Sequence, residues 1–318
     1  MKYQLMKLNT VWNENPKLGG LSFVESERDI PFAIKRIYCI YKTEENQHRG
    51  FHAHKKNWQL LFCPYGAIDI VLTDGEETEI ITLDNPSKGL VLNPGLWREM
   101  IWRHDDSVLC VAASEYYDAD EYIRSYDEYL LYRKKQSPNV SANLPGGGGD
   151  YLNNAGNILG VKMLEFPCLP SATTISNLNY VWFRFIQIEA LKDVPFEIKR
   201  IFFIYGKGNV GITRGKHANR KSEFVLFNIF GRSKVKVIDE DMSETVYELN
   251  EPKDAVYLPR MIWKEMYDFT PDSVLMVVTN EYYDTTEYIR DFGTYAEEIR
   301  GIKKSCKNRR NTITTTKG

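Results

Sequence analysis

Long apolar runs, paired cysteines and an excess of either charge are all missing from this 318-residue chain. No window approaches the roughly 18 consecutive apolar residues that a membrane-crossing helix takes. The N-terminal MKYQLMKLNTVWNENPK carries charge but no apolar core followed by small residues, so neither a membrane span nor a secretion signal is expected. Lys and Arg number 41 against 43 Asp and Glu, a formal net charge of -2, which supplies no global field to attract nucleic acid or an anionic membrane. Phosphate binding, if present, must be local. The five cysteines, Cys39, Cys63, Cys110, Cys168 and Cys306, show no CxxC spacing, and three sit inside apolar runs as small hydrophobes do, the pattern of reduced thiols in a cytoplasmic protein.

What the chain does have is a copy of itself. DIPFAIKRIYCIYKT at Asp29 to Thr43 returns as DVPFEIKRIFFIYGK at Asp193 to Lys207, and three further blocks follow in the same order. RGFHAHKK is answered by RGKHANRK, LWREM by IWKEM, and SEYYDADEYIRSYDEY by NEYYDTTEYIRDFGTY. The offset of about 165 residues is far above the 20–50 of solenoid repeats, so a whole domain is duplicated. QSPNVSANLPGGGGD, with Pro, Ser, Asn and four successive glycines, reads as a flexible linker between the copies. The expected division is therefore 1–135, a linker at 136–152, a second domain at 153–304 and a basic, flexible tail at 305–318.

Within each copy the pattern is of short strands. IKRIYCIY alternates, WQLLFCPYGAIDIVLTDG is broken by turn residues, and SVLCVAAS is a buried run, together the pattern of a double-sheet sandwich or barrel. Asp118 with Glu121, and Asp284 with Glu287, have the spacing of a helix N-cap and an acid three residues on, so one terminal helix is expected per domain.

His52 and His54 pose the chemical question. One residue apart on a strand, both imidazoles face one side, an unusual arrangement for merely structural histidines. A metal reading would need third and fourth ligands, but the following acid position holds Gln59 and the later histidine position holds Arg98, a fixed cation that cannot ligate. Metal binding is disfavoured, no cofactor is implied, and acid–base work is favoured. Arg36, Tyr38, Arg49, Lys55 and Arg98 are expected nearby, a set of cations with one phenol that suits a small anionic ligand exchanging protons.

IPFAIKRIYCIY, RGFHAHKK, NPGLWREM and SEYYDADEYIRSYDEY together strongly resemble the dTDP-4-keto-6-deoxyglucose 3,4-ketoisomerases, the WxcM-like cupin family. The resemblance covers nearly all of the first copy. It implies an all-β chain of two tandem cupin domains (double-stranded β-helix, or jelly-roll), each with its C-terminal helix. It also implies a metal-independent isomerase that moves the carbonyl of a dTDP-linked 4-keto-6-deoxy sugar from C4 to C3 through an enediol, toward aminosugars of surface polysaccharide. On the matching positions His52 is the base, His54 and Tyr38 orient the sugar or shuttle protons, Arg36, Arg49 and Lys55 hold the diphosphate, and Arg98 polarises a carbonyl or stabilises the enediolate. Arg98 leans toward a gluco configuration at C4, whereas Leu18 matches neither stereochemical type.

The second copy departs from this pattern. His217 remains, with Arg200, Arg214 and Arg220, but His54 becomes Asn219, Tyr38 becomes Phe202 and Arg98 becomes Lys264. Asparagine is no base near pH 7 and phenylalanine carries no proton, so the second copy is not expected to perform the same reaction. Since single-domain relatives are dimers, the resemblance implies that the second copy takes the partner's place in an intramolecular pseudo-dimer, with further homodimerisation left open. A non-catalytic sugar-nucleotide binder and a dTDP-sugar epimerase are the alternative readings, because fold alone does not fix function.

Overall fold

The computed structural model describes residues 3–12, 20–135, 162–165, 168–170, 184–206 and 211–314. Leu18 and the expected linker at 136–152 lie outside the described residues. The architecture is the expected all-β one, with a seven-stranded and a five-stranded antiparallel sheet for each copy. In copy one the smaller sheet runs, in spatial order, Tyr122–Ile123, His48–His54, Trp97–Trp102, Ile68–Thr73 and Thr78–Leu83. Alternation in IDIVLT places Ile68, Ile70 and Leu72 on one face, where they pack against Leu61, Leu90 and Leu109 of the larger sheet. Copy two repeats this sandwich with Val235 and Val237 against Leu226, Val256 and Leu275.

The larger sheets are built from both copies. Arg36–Tyr41 of copy one pairs on one side with Val108–Ala113 and on the other with Arg184–Glu189 of copy two. Reciprocally, Arg200–Tyr205 pairs with Val274–Thr279 and with Gly20–Glu25 of copy one. Each copy therefore lends a strand to the other, and the boundary in sequence is not a boundary in space. RIYCIY and RIFFIY are buried on both faces, which is why they read as nearly continuous apolar runs. Their inner faces fill the two sandwiches, and their outer faces meet in one core shared by the copies, where Phe62 stacks on Phe203 with centroids 5.1 Å apart. Cys39 and Cys110 lie in this core as free thiols.

Two expectations about the helices are corrected. Asp118 does cap, accepting from the Asp120 amide at 2.9 Å, but what it caps is a 3-10 turn, Ala119–Glu121, and Asp284 does the same for Thr285–Glu287. The helix proper begins later, at Tyr126–Lys135 in copy one and Phe292–Thr314 in copy two, with Ser125 and Asp291 in the capping positions. The acid three residues on does not fold back on the cap; Glu121 and Glu287 turn inward and are buried. The second helix also runs to Thr314, through most of the segment expected as a flexible tail, because no glycine or proline interrupts residues 302–314. Both helices dock through a buried tyrosine: the Tyr129 hydroxyl donates to the Thr73 carbonyl at 2.8 Å, and Tyr295 to that of Ile238 at 2.9 Å.

Candidate active site

A bulge sets which side chains meet. In the ladder of His48–His54 with Trp97–Trp102, Arg98 stands opposite His52, but Glu99 stands opposite Gly50, so one residue is extra on the histidine strand. Gly50 (φ 93°) and Phe51 (φ 52°) take the left-handed conformations that absorb it. Without the extra residue Arg49 would face away from His52; with it, Arg49, His52 and His54 share one face with Arg98. A side chain at Gly50 is excluded, since a Cβ there would lie 2.8 Å from the Arg98 carbonyl oxygen. Gly215 and Lys216 repeat the device in copy two.

The histidines stand edge to face with ring centroids 5.0 Å apart, and Tyr122 closes the group at 5.1 Å from His52 and 4.4 Å from His54. His54 Nδ1 is 3.9 Å from Glu121 Oε2, but that oxygen accepts from the amides of Lys56 and Asn57. Burial and the neighbouring Arg98 cation push His52 down to about 3 and His54 well below its ordinary value, so both are neutral imidazoles at pH 7. Tyr38, pushed up to about 12 by burial, keeps its proton, and its hydroxyl accepts from Gln59 Nε2 at 3.0 Å. Gln59, at the position where a metal-ligating acid was considered, thus orients a phenol. Among the described residues no three His, Cys, Asp or Glu side chains gather as a metal site would require.

Arg98 is the most exacting member. Its side chain is 1 % exposed, burial brings its pKa down only to about 10, and Nε, Nη1 and Nη2 have no hydrogen-bond partner among the described residues. Arg36 is equally buried, lies over Tyr38 at 5.4 Å and Tyr117 at 5.6 Å, and its Nε has no hydrogen-bond partner among the described residues. A buried cation short of hydrogen-bond partners is costly, and two of them acting on the same pair of histidines suit an anionic or strongly polar guest. Lys55 is not gathered in: it is exposed, just past the end of the strand, and its ammonium donates to the Asp120 carbonyl at 2.6 Å.

Sequence reasoning missed Tyr117, Tyr122, Arg124 and the borrowed strand. Tyr117, Tyr122 and Arg124 lie in the block EYYDADEYIR and recur in the second copy as Tyr283, Tyr288 and Arg290, and that recurrence was the available signal. From copy two, Gln187 stands opposite Tyr38 in the ladder, and the Phe185 ring packs on the Tyr38 ring at 5.3 Å.

In copy two the corresponding polar groups satisfy one another. Lys264 Nζ donates to Asn219 Oδ1 at 2.5 Å, Asn219 Nδ2 donates to Glu287 Oε1 at 3.1 Å, and Glu287 also takes the Ser222 hydroxyl and the amides of Lys221 and Ser222. Burial brings Lys264 down to about 7 and His217 to about 3. Arg220, counted by sequence among the retained cations, is held instead by Glu298 in two hydrogen bonds of 3.1 and 2.6 Å.

The chain is 45% identical over 117 residues to the TDP-4-oxo-6-deoxy-alpha-D-glucose-3,4-oxoisomerase of Aneurinibacillus thermoaerophilus, a match covering 37% of this chain and 84% of the relative. A solved sugar 3,4-ketoisomerase from Thermoanaerobacterium thermosaccharolyticum in complex with TDP is 44% identical, covering 42% of this chain and 95% of that one with a TM-score of 0.40. A 3,4-ketoisomerase structure from Helicobacter canadensis is 39% identical, covering 42% of this chain and 98% of that one, also with a TM-score of 0.40. The FdtA family model, described as WxcM-like, C-terminal, matches at residues 1–134 and again at 165–300. With both copies matched across most of its length, the chain belongs to the FdtA, WxcM-like family.

Proposed function

We propose that copy one isomerises dTDP-4-keto-6-deoxyglucose to a dTDP-3-keto-6-deoxyhexose, the activity named for the Aneurinibacillus relative. The observation that carries the reading within the molecule is the buried Arg98 guanidinium, without a hydrogen-bond partner among the described residues, directly across the ladder from the neutral His52 imidazole. That pairing sets a base beside a fixed positive charge. The C3 hydrogen of the substrate is acidic because it lies alpha to the C4 ketone. His52 takes that proton, the C3–H electron pair becomes the C3–C4 double bond, and the C4 oxygen becomes an enediolate oxygen facing Arg98, whose preorganised donors stabilise it. The C3 hydroxyl proton then passes to the C4 oxygen, and the His52 imidazolium, after exchange with solvent, returns a proton to C4 as the C3–O electron pair closes the C3 ketone. Substrate and product have the same formula, so no redox partner enters.

Tyr38, protonated and aligned by Gln59, and His54 are the proposed carriers of protons between the two sugar oxygens. Arg36 and Arg49 are placed to hold the diphosphate with charge-assisted hydrogen bonds. Lys55 joins them only by releasing the Asp120 carbonyl. The 3-keto product presents the carbonyl that an aminotransferase takes up, and on this reading the chain serves aminosugar supply for surface polysaccharide. Since copy two supplies the strand beside Tyr38, a single chain completes the site without a second subunit.

The test is a proton NMR time course with dTDP-4-keto-6-deoxyglucose in deuterated water, beside His52→Asn. A 3-keto product carrying deuterium at C4, abolished in the variant, is expected. Unchanged substrate signals with the wild-type protein would defeat the proposal.

A further inference from the structure

The strands that the copies exchange carry side chains as well as backbone. Opposite residues of an antiparallel ladder share a face, so Glu189 lies on the face of Arg36 and Gln187 on the face of Tyr38. Phe185, two residues before Gln187, packs on the Tyr38 ring at 5.3 Å and against the core of copy one, which identifies that face as the inner one. The sheet runs Gln59–Tyr65, Val108–Ala113, Arg36–Tyr41, Arg184–Glu189, so Gln59 and Gln187 flank the phenol from opposite sides. We propose that Gln187 is a substrate-positioning residue of the copy-one reaction, its amide hydrogen-bonding a sugar oxygen beside the Tyr38 hydroxyl. The inference rests on the isomerase reading of copy one, and it makes copy two the donor of a functional side chain to that site.

The reciprocal strand separates what the exchange needs for folding from what the reaction needs. Gly20–Glu25 sets Glu25 opposite Arg200 and Phe23 opposite Phe202. The two glutamates play one part in both barrels: Glu189 accepts from the Tyr117 amide at 2.6 Å and from Lys192 at 2.7 Å, and Glu25 from the Tyr283 amide at 2.6 Å and from Arg28 at 3.2 Å. Two residues along the strand the likeness ends. Where copy one has its phenol, the cross-strand neighbour is an amide; where copy two has a phenyl ring, the neighbour is a phenyl ring too.

Packing does not call for the glutamine, because the Phe23 and Phe202 pair fills the same place in the second barrel. A half-buried amide set beside two aromatic rings costs free energy unless it finds hydrogen-bond partners, and a sugar hydroxyl or carbonyl offers them. The amide both donates and accepts, so it holds one sugar oxygen as ketone and as enediol alike. It also adds no charge beside histidines that Arg98 and Arg36 help to keep neutral.

The experiment compares the full-length protein with Gln187→Leu, which removes the polar end of the side chain and keeps most of its bulk. With dTDP-4-keto-6-deoxyglucose, kcat/KM should fall about tenfold, the effect of losing one hydrogen bond. Calorimetry should show weaker binding of dTDP-glucose with the affinity for dTDP, which carries no sugar, unchanged. Phe23→Leu, the equivalent position in the other barrel, should leave kcat/KM as in the wild type, and thermal melts verify that both variants are folded. An unchanged kcat/KM in Gln187→Leu overturns the inference, as does an equal loss of affinity for dTDP and dTDP-glucose, the mark of a distorted barrel. A wild-type protein without turnover defeats the isomerase reading separately; selective weakening of dTDP-glucose binding would then still support Gln187 as a sugar contact, and its absence would overturn it.

Discussion

Tyr38 of the first copy stands opposite Gln187 of the second in one antiparallel ladder, with its ring against Phe185 at 5.3 Å. The phenol that this reading assigns to proton transfer is thus positioned by Gln59 from its own copy and by a strand from the other. One chain thus supplies both strands of this arrangement.

The first prediction uses that dependence. Phe185→Ala removes the ring that backs Tyr38, and small misplacements of catalytic groups are expensive, so kcat of the copy-one reaction should fall about tenfold. Leu21→Ala, the equivalent change in the strand that copy one lends to copy two, should leave kcat near wild type. Equal effects of the two variants would show that the exchanged strands matter for stability alone.

Arg98→Met should lower kcat by roughly 10²–10³-fold with a smaller change in KM, because the enediolate oxygen loses its preorganised donors while the diphosphate keeps its own. Arg98→Lys is not expected to rescue, since an ammonium is a point donor in place of a planar fork. Copy two shows where such an amine goes: Lys264 is drawn onto the Asn219 carbonyl oxygen. Steady-state kinetics on the two variants decide the matter, and a change confined to KM would move Arg98 from the reacting end to the binding end.

Gly50→Ala tests the bulge itself. The new Cβ would sit 2.8 Å from the Arg98 carbonyl and 2.9 Å from Met100 Sδ, at a φ of 93° that a β-carbon disfavours. The left-handed penalty alone is about 1–2 kcal/mol. A lowered melting temperature and a disproportionate loss of activity are expected, since the bulge puts Arg49 and the histidines on one face. Gly75→Ala, also at positive φ but with its nearest neighbour a Leu130 methyl at 3.2 Å, should cost stability with activity intact.

The parts of this fold that were readable in the sequence are those governed by local rules. Period-two alternation in IDIVLT marks a strand with one face in the core, and the His-x-His spacing places two imidazoles on one side because i and i+2 share a face. The strand exchange could not be read. RIYCIY and RIFFIY offer nearly the same edge, so a strand from either copy satisfies the ladder, and nothing local distinguishes the two pairings. Glu121 and Glu287 misled for a related reason: an acid three residues after a cap is also what a buried acceptor for the amides of Asn57 or Ser222 looks like in sequence. Lys55 was placed in the site by its neighbours in the chain, but the strand ends at His54, and the side chain leaves with the turn.

The buried imidazoles also fix how stability depends on pH. His52 and His217 are held down to about 3, and His54 well below the ordinary value, because burial and adjacent cations oppose a further positive charge. In the unfolded chain the same groups take up protons near 6.5. Between those values the unfolded state binds protons that the folded state refuses, so these groups leave stability intact above about pH 6.5 and erode it as pH falls toward 3. The carboxylates with lowered values, Asp74 and Asp84 among them, act below their unfolded value of 3.8, which leaves pH 4.5 to 6.5 to the histidines. Thermal melts across that window should show a falling melting temperature, and the double variant His54→Asn, His217→Asn should have a flatter slope than wild type. Asparagine is already accommodated at residue 219, the counterpart of His54, which makes the substitution a mild one for packing. An unchanged slope would mean that His54 and His217 take up protons in the folded chain as readily as in the unfolded one, and that burial does not hold them neutral.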